Sequence, residues 1–178
     1  WLPQLQRLSD DVHALRRALA ALHDHNFAWL SFDPNALEVL NGQTCLITNL
    51  DVELFPFGSA PERIRVHPHY APPEVVQFRS SDIGLRTDVY HLAMFTYYWL
   101  AGRLPDGLPG HGLEKHDFAI PPLRTFAPTL PEGTTTVTKR GLSPNPGDRQ
   151  ATPQEFAEAL DEAIARARRR REFSGTLR

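Results

Sequence analysis

The run TDVYHLAMFTYYWLAG, residues 87–102, constrains this chain more than any other stretch. Apolar and aromatic side chains recur on nearly every side of a 3.6-residue period, which leaves no face for water. A helix of that kind is stable only inside a shell of other elements. Thr87 and Asp88 are expected to cap this helix, with Gly102 the residue type that ends helices and Pro105 a bar to continuation. The run is too short to cross a bilayer and carries a histidine, so it is expected to be the central helix of a globular fold and not a membrane span. With 178 residues there is material for one domain around one core.

The flanks supply candidates for the shell. Ser9 followed by Asp10 and Asp11 reads as an N-cap with acidic first-turn residues, and Val12, Leu15, Leu19 and Leu22 then predict an amphipathic helix to about His23. LEVL and CLITNL flank Asn41-Gly42, a pair that tolerates the positive φ angles of a type I′ turn, so a short β-hairpin is expected there. From Phe55 to Pro73 the chain is proline-rich and without period, as the total of 16 prolines suggests, and reads as a long irregular connection. Val137 to Leu142 predicts a short helix. Thr152-Pro153-Gln154-Glu155 is a capping box that opens a last helix whose buried stripe is Phe156, Leu160 and Ile164.

Composition excludes several functions. A net charge of −2 and a pI near 6.5 provide no domain-wide positive field, so nucleic acid is disfavoured as a partner. Cys45 is the only cysteine, which fits a small core residue in a reducing cytoplasm, and no secretory signal pattern opens the sequence. The histidines at 23 and 25, 67 and 69, 111 and 116 lack metal-binding helical spacing, so no metal is expected. Ser31 lies in no Gly-x-Ser-x-Gly elbow and is no hydrolase nucleophile. Ser59 is the one serine or threonine between Asn49 and Glu74, which makes a phosphorylation switch in that segment improbable. ARARRRRE, residues 165–172, reads either as a solvated helix end or as a contact for an anionic membrane or an acidic partner.

The order of these elements resembles the C-terminal lobe of a eukaryotic-like Ser/Thr protein kinase of the bacterial type. LHDHNFAWLSFDPNAL stands where the family has its His-Arg-Asp catalytic loop, CLITNLD where it has Asp-Phe-Gly, and YAPPE where it has Ala-Pro-Glu. LRTDVYHLAMFTYYWLAGRLPDG and GLSPNPGDRQATPQEFAEAL match the later helices of the lobe. The resemblance implies a mainly α (α+β) fold: helices around a central buried helix with a small β-hairpin, and no N-lobe in this chain. It divides the sequence into a lobe over 1–165 and an Arg-rich helix end and tail or linker over 166–178. It further implies structural anchors: an ion pair of Glu74 with Arg149 holding the end of the activation segment, and Asp88 accepting backbone N–H bonds from the catalytic loop.

The family's chemistry carries over poorly. Its proton-accepting and metal-holding aspartates correspond to Ser31 and Asn49, its catalytic-loop lysine to Asp33, its metal-binding asparagine to Ala36, its histidine to Trp29, and its Phe-Gly to Leu50 and Asp51. A hydroxyl is a poor proton acceptor near neutral pH, and a neutral amide is a weaker ligand for a hard cation than a carboxylate. The only lysines are Lys115 and Lys139, both far downstream. The expectation is therefore a pseudokinase lobe in a cytoplasmic signalling protein: no enzyme, no cofactor and no metal. It would act through a protein partner or neighbouring domain that covers an upper face around Trp29, Leu37 and Leu50. The alternative is an unorthodox active kinase using Asp33 and Asp51, with an N-lobe supplied elsewhere. Both pairs have the same separation, but Leu22-His23 and Pro34 align without gaps only when Ser31 takes the aspartate's place.

Overall fold

The computed structural model describes residues 1–30, 37–40, 44–47, 54–59, 71–103 and 120–176, with 37–40, 44–47 and 174–176 described by backbone alone. The first helix, α1, runs Leu2–His23. Leu5, Leu8, Val12, Leu15 and Leu19 alternate three and four apart, and all five are buried. That stripe begins well before Ser9. Ser9 is consequently not the N-cap: Pro3 occupies the first turn and Ser9 sits inside the helix, buried, because burial of Leu5 and Leu8 outweighs a local capping preference.

The central helix, α3, runs Leu85–Ala101 and touches α1, β1 (Phe27–Trp29), α4 (Glu132–Gly141) and α5 (Pro153–Thr176). Val89, Tyr90, Leu92, Ala93, Met94 and Tyr97 are all within 1% of full burial, so the all-round apolar pattern has found its shell. Its start differs from expectation. Gly84 is the N-cap, and Thr87 accepts the Gly84 N–H on its Oγ at 3.1 Å from inside the first turn. Gly102 ends the helix with φ 67°, a left-handed conformation that costs glycine nothing, and its N–H returns to the Tyr98 carbonyl at 2.9 Å.

α4 begins earlier than the apolar pattern predicts. Its first turns are Glu-Gly-Thr-Thr-Thr, poor helix formers, yet the hydroxyls of Thr134, Thr135, Thr136 and Thr138 fold back onto carbonyls three or four residues behind. Tertiary contact overrides propensity here. A Cβ on Gly141 would lie 2.6 Å from Ala93 Cβ of α3 and 2.9 Å from Phe156 Cε2 of α5, so only glycine allows the three helices to meet. α5 starts at Pro153 as expected: Thr152 Oγ accepts the Glu155 N–H at 3.1 Å, and the Glu155 carboxylate accepts the Ala151 N–H at 3.0 Å.

Two small antiparallel sheets complete the lobe. β2 (Leu37–Leu40) and β3 (Thr44–Ile47) form the expected hairpin, but Leu40 pairs with Thr44, leaving three residues between the strands where a type I′ turn spans two. Residues 41–43 themselves lie outside the described residues. β1 pairs with β4 (Leu54–Pro56) in register Trp29↔Leu54, a second sheet too short to leave a periodic trace in the sequence. A short helix, α2, spans Pro73–Val76.

Candidate functional site

The two sheet registers define the site's frame. β1 ends at Trp29, whose partner Leu54 begins β4; β2 begins at Leu37, whose partner Ile47 ends β3. The connections 31–36 and 48–53 therefore leave and arrive at paired strand ends, bridging the same two sheets. Ser31, Asp33 and Ala36 belong to one, Asn49, Leu50 and Asp51 to the other, and all six lie outside the described residues, as do the histidines at 67, 69, 111 and 116. Leu37 is described by its backbone, as the first residue of β2.

Trp29 does not lie where it was expected. In place of an exposed upper face it is 1% exposed, a member of the main core beside Leu19 and Tyr90, because β1 is tucked against α1 and α3. Its backbone carries the first connection toward the site. The Trp29 N–H points at Asp88, 3.4 Å from both carboxylate oxygens, a weak bifurcated contact.

Asp88, on the first turn of α3, is fully buried. Its Oδ2 lies 2.8 Å from His23 Nε2 at the end of α1, and its Oδ1 lies 3.1 Å from His91 Nδ1 one turn along α3. One carboxylate thus fixes α1, β1 and α3 together at the edge from which residues 31–36 depart. A buried carboxylate is tolerable only with such partners. His23 and His91 were not singled out by the sequence as Asp88 partners. The i,i+3 spacing of Asp88 and His91 was the available signal for one of them; the His23 contact is long-range and left none.

The structure also brings Glu74 and Arg149 together. Arg149 Nη1 and Nη2 donate to the two Glu74 carboxylate oxygens at 2.7 and 2.8 Å, a bidentate pair with both side chains fully buried. Arg149 Nε donates to the Ser143 carbonyl at 2.8 Å and Nη1 to the Arg86 carbonyl at 2.9 Å, while the guanidinium lies 4.9 Å over the Tyr90 ring. Burial pushes the Tyr90 phenol well above its ordinary range; Arg149 opposes that shift and Glu74 adds to it. α2, the start of α3 and the approach to α5 are locked by this one group.

Among the described residues no cluster of three or more His, Cys, Asp or Glu has the proximity to hold a metal ion, and no helix is long and apolar enough to cross a membrane. A groove of about 670 Å³ lies elsewhere, between α3, α4 and residues 120–124, lined by Tyr97, Leu123 and Leu142 among others, and contains neither anchor.

The described fold, helices around a buried central helix with two short strand pairs, has counterparts among solved structures. The kinase domain of Mycobacterium tuberculosis PknI superposes with a TM-score of 0.64 over 89% of this chain and 56% of that domain, at 24% identity. The fold is that of a protein kinase-like C-lobe. The Cydia pomonella granulovirus kinase PK-1 gives the same fold at a TM-score of 0.68, 14% identity, 85% of this chain and 57% of that one. In sequence the kinase-like lobe is 30% identical over 173 residues to the serine/threonine-protein kinase pkn2 of Myxococcus xanthus, covering 89% of this chain and 20% of that protein. No family model matches the chain.

These likenesses correct one expectation. The lobe was read as no enzyme, from substitutions at a few loop positions. The curated relative is named a serine/threonine-protein kinase and the PknI structure a kinase domain, which stands against that reading. The lobe spans about a fifth of the curated relative and just over half of the solved kinase domains.

Proposed function

We propose that this chain is the large lobe of a Ser/Thr protein kinase-like domain in a larger cytoplasmic signalling protein, where it works through protein contacts as a regulatory body. The observation that carries this reading is the pair of buried anchors. Glu74–Arg149 and the Asp88 hub are closed to solvent, so neither touches a substrate; their role is to hold shape. By resemblance the first fixes the end of the activation segment and the second the loop that starts at Ser31. By the same resemblance, Leu37 and Leu50 are the apolar residues that an N-lobe or neighbouring domain would cover.

Hydrogen exchange tests this directly. Amides of β2 and β3 are expected to exchange more slowly in the full-length protein than in the 178-residue chain, and Leu37→Asp is expected to remove the difference. Equal exchange in the two proteins overturns the reading.

The names of the relatives favour a second reading, phosphoryl transfer. In the alternative register of the resemblance, Asp33 would accept the substrate hydroxyl proton and Asp51 would hold magnesium, which neutralises the transferring phosphates. Labelled phosphate incorporation that disappears in both Asp33→Ala and Asp51→Ala supports it. Incorporation indifferent to both changes dismisses it.

A further inference from the structure

α5 outlasts the core on which it packs. Phe156, Ala157, Leu160, Ala163 and Ile164 are buried, and no side chain described after Ile164 is. The exposed turns that follow carry Arg166, Arg168, Arg169, Arg170 and Arg171 against a single acid, Glu172. At about 100° per residue, Arg168 shares the side of Asp161, which faces α1. Arg168 donates to Gln6 at 3.3 Å, and Asp161 accepts from Ser9 and lies 2.7 Å from His13. On the side turned away from α1, Arg166, Arg169, Arg170 and Phe173 recur at three- and four-residue spacing and form one outward face.

Phe173 is 73% exposed, more than any other large apolar side chain among the described residues. Its neighbours one turn back are Arg169 and Arg170. Arg166 contacts Glu162 at 3.3 Å, but both are more than half exposed, so water screens most of that attraction. α1 and α5 run antiparallel, as the Gln6–Arg168 and Ser9–Asp161 contacts require, so Trp1, 37% exposed, stands at the same pole.

We propose that the outward face of α5 from Arg166 to Phe173 docks this lobe on the headgroup layer of an anionic lipid bilayer. Guanidinium groups bind lipid phosphates through paired N–H donors, and an aromatic ring between them enters the boundary between headgroups and acyl chains. Arg166, Arg169 and Arg170 flank Phe173 on one face, so a plane of lipid phosphates can meet all three guanidinium groups and the ring at once. Phe173 adds an apolar gain that a purely acidic partner leaves unused.

The test is cosedimentation of the 178-residue chain with vesicles of phosphatidylcholine alone and with about one-third phosphatidylglycerol. Binding is expected only to the anionic vesicles and is expected to weaken as salt rises. Arg166→Gln with Arg169→Gln and Arg170→Gln should weaken it about a hundredfold, while the same three positions changed to Lys should retain most of it. Phe173→Ser should cost about tenfold and leave the salt dependence unchanged. All four positions are exposed, so unchanged thermal melts serve as the folding control. Failure of the unchanged protein to bind anionic vesicles overturns the proposal, as does equal binding by the glutamine variant. Capture by polyglutamate without binding to vesicles also overturns it and assigns the face to an acidic protein.

Discussion

Arg149 engages three of its nitrogens, to Glu74 and to the Ser143 and Arg86 carbonyls, from a position closed to water. Removing one member of such a pair leaves the other charge buried and uncompensated. Glu74→Ala or Arg149→Ala is therefore expected to lower unfolding stability by about 3–5 kcal/mol, measured by urea denaturation. Replacing both by apolar residues of similar volume should cost clearly less than the sum of the two single changes. Tyr90, beneath the same guanidinium, carries a pH signature. Its phenol is raised in the folded state, so the folded protein keeps a proton that the unfolded chain releases above about pH 10. The stability it contributes is complete below that pH and declines as pH rises further. Tyr90→Phe should flatten the alkaline fall in melting temperature.

The three-helix contact of α3, α4 and α5 turns on Gly141. Gly141→Ala drives a methyl group into Ala93 and Phe156 and should destabilise by about 1–3 kcal/mol, seen as a drop in the urea midpoint. Gly133→Ala, whose Cβ would stand 3.0 Å from Ala163 Cβ, should cost less. Elements with a strong local signature were legible in the sequence. α3 announced itself by apolar residues on all sides and α5 by a capping box, of which the structure keeps the Thr152–Glu155 bond while the Glu155 carboxylate takes the Ala151 N–H. α4 was half missed because its opening threonines make their helix only with α3 and α5 alongside. β4 and β1 were missed because three-residue strands owe their pairing to residues far away in sequence. The early start of α1 was legible in principle, in Pro3 and in the extension of the stripe to Leu5, but Ser9 offered a competing cap. The burial of Trp29 was not legible, because it follows from the packing of β1 against two helices, one of them distant in sequence.

The whole molecule is a shell around α3, and its stability should be graded accordingly. Native-state hydrogen exchange is expected to be slowest at amides of α3 between Val89 and Tyr97 and fastest in α5 beyond Ile164, where no described side chain is buried. Uniform protection along α5 would contradict that gradient. The order of elements sufficed to place the chain with kinase C-lobes. The reading as no enzyme rested on Trp29, Ser31, Asp33, Ala36, Asn49, Leu50 and Asp51 and on the absence of an upstream lysine, whereas kinship is carried by the entire scaffold and the relative's name is that of a kinase. One geometric feature reaches further. Since α1 and α5 lie antiparallel, with Gln6 against Arg168 and Ser9 against Asp161, the outer ends of both helices emerge at one pole. Tension applied through those two ends would part the helices contact by contact, like a zip, instead of loading every contact at once. This lobe should therefore yield mechanically at low force, in a sequence that frees Arg168 first and Asp161 next.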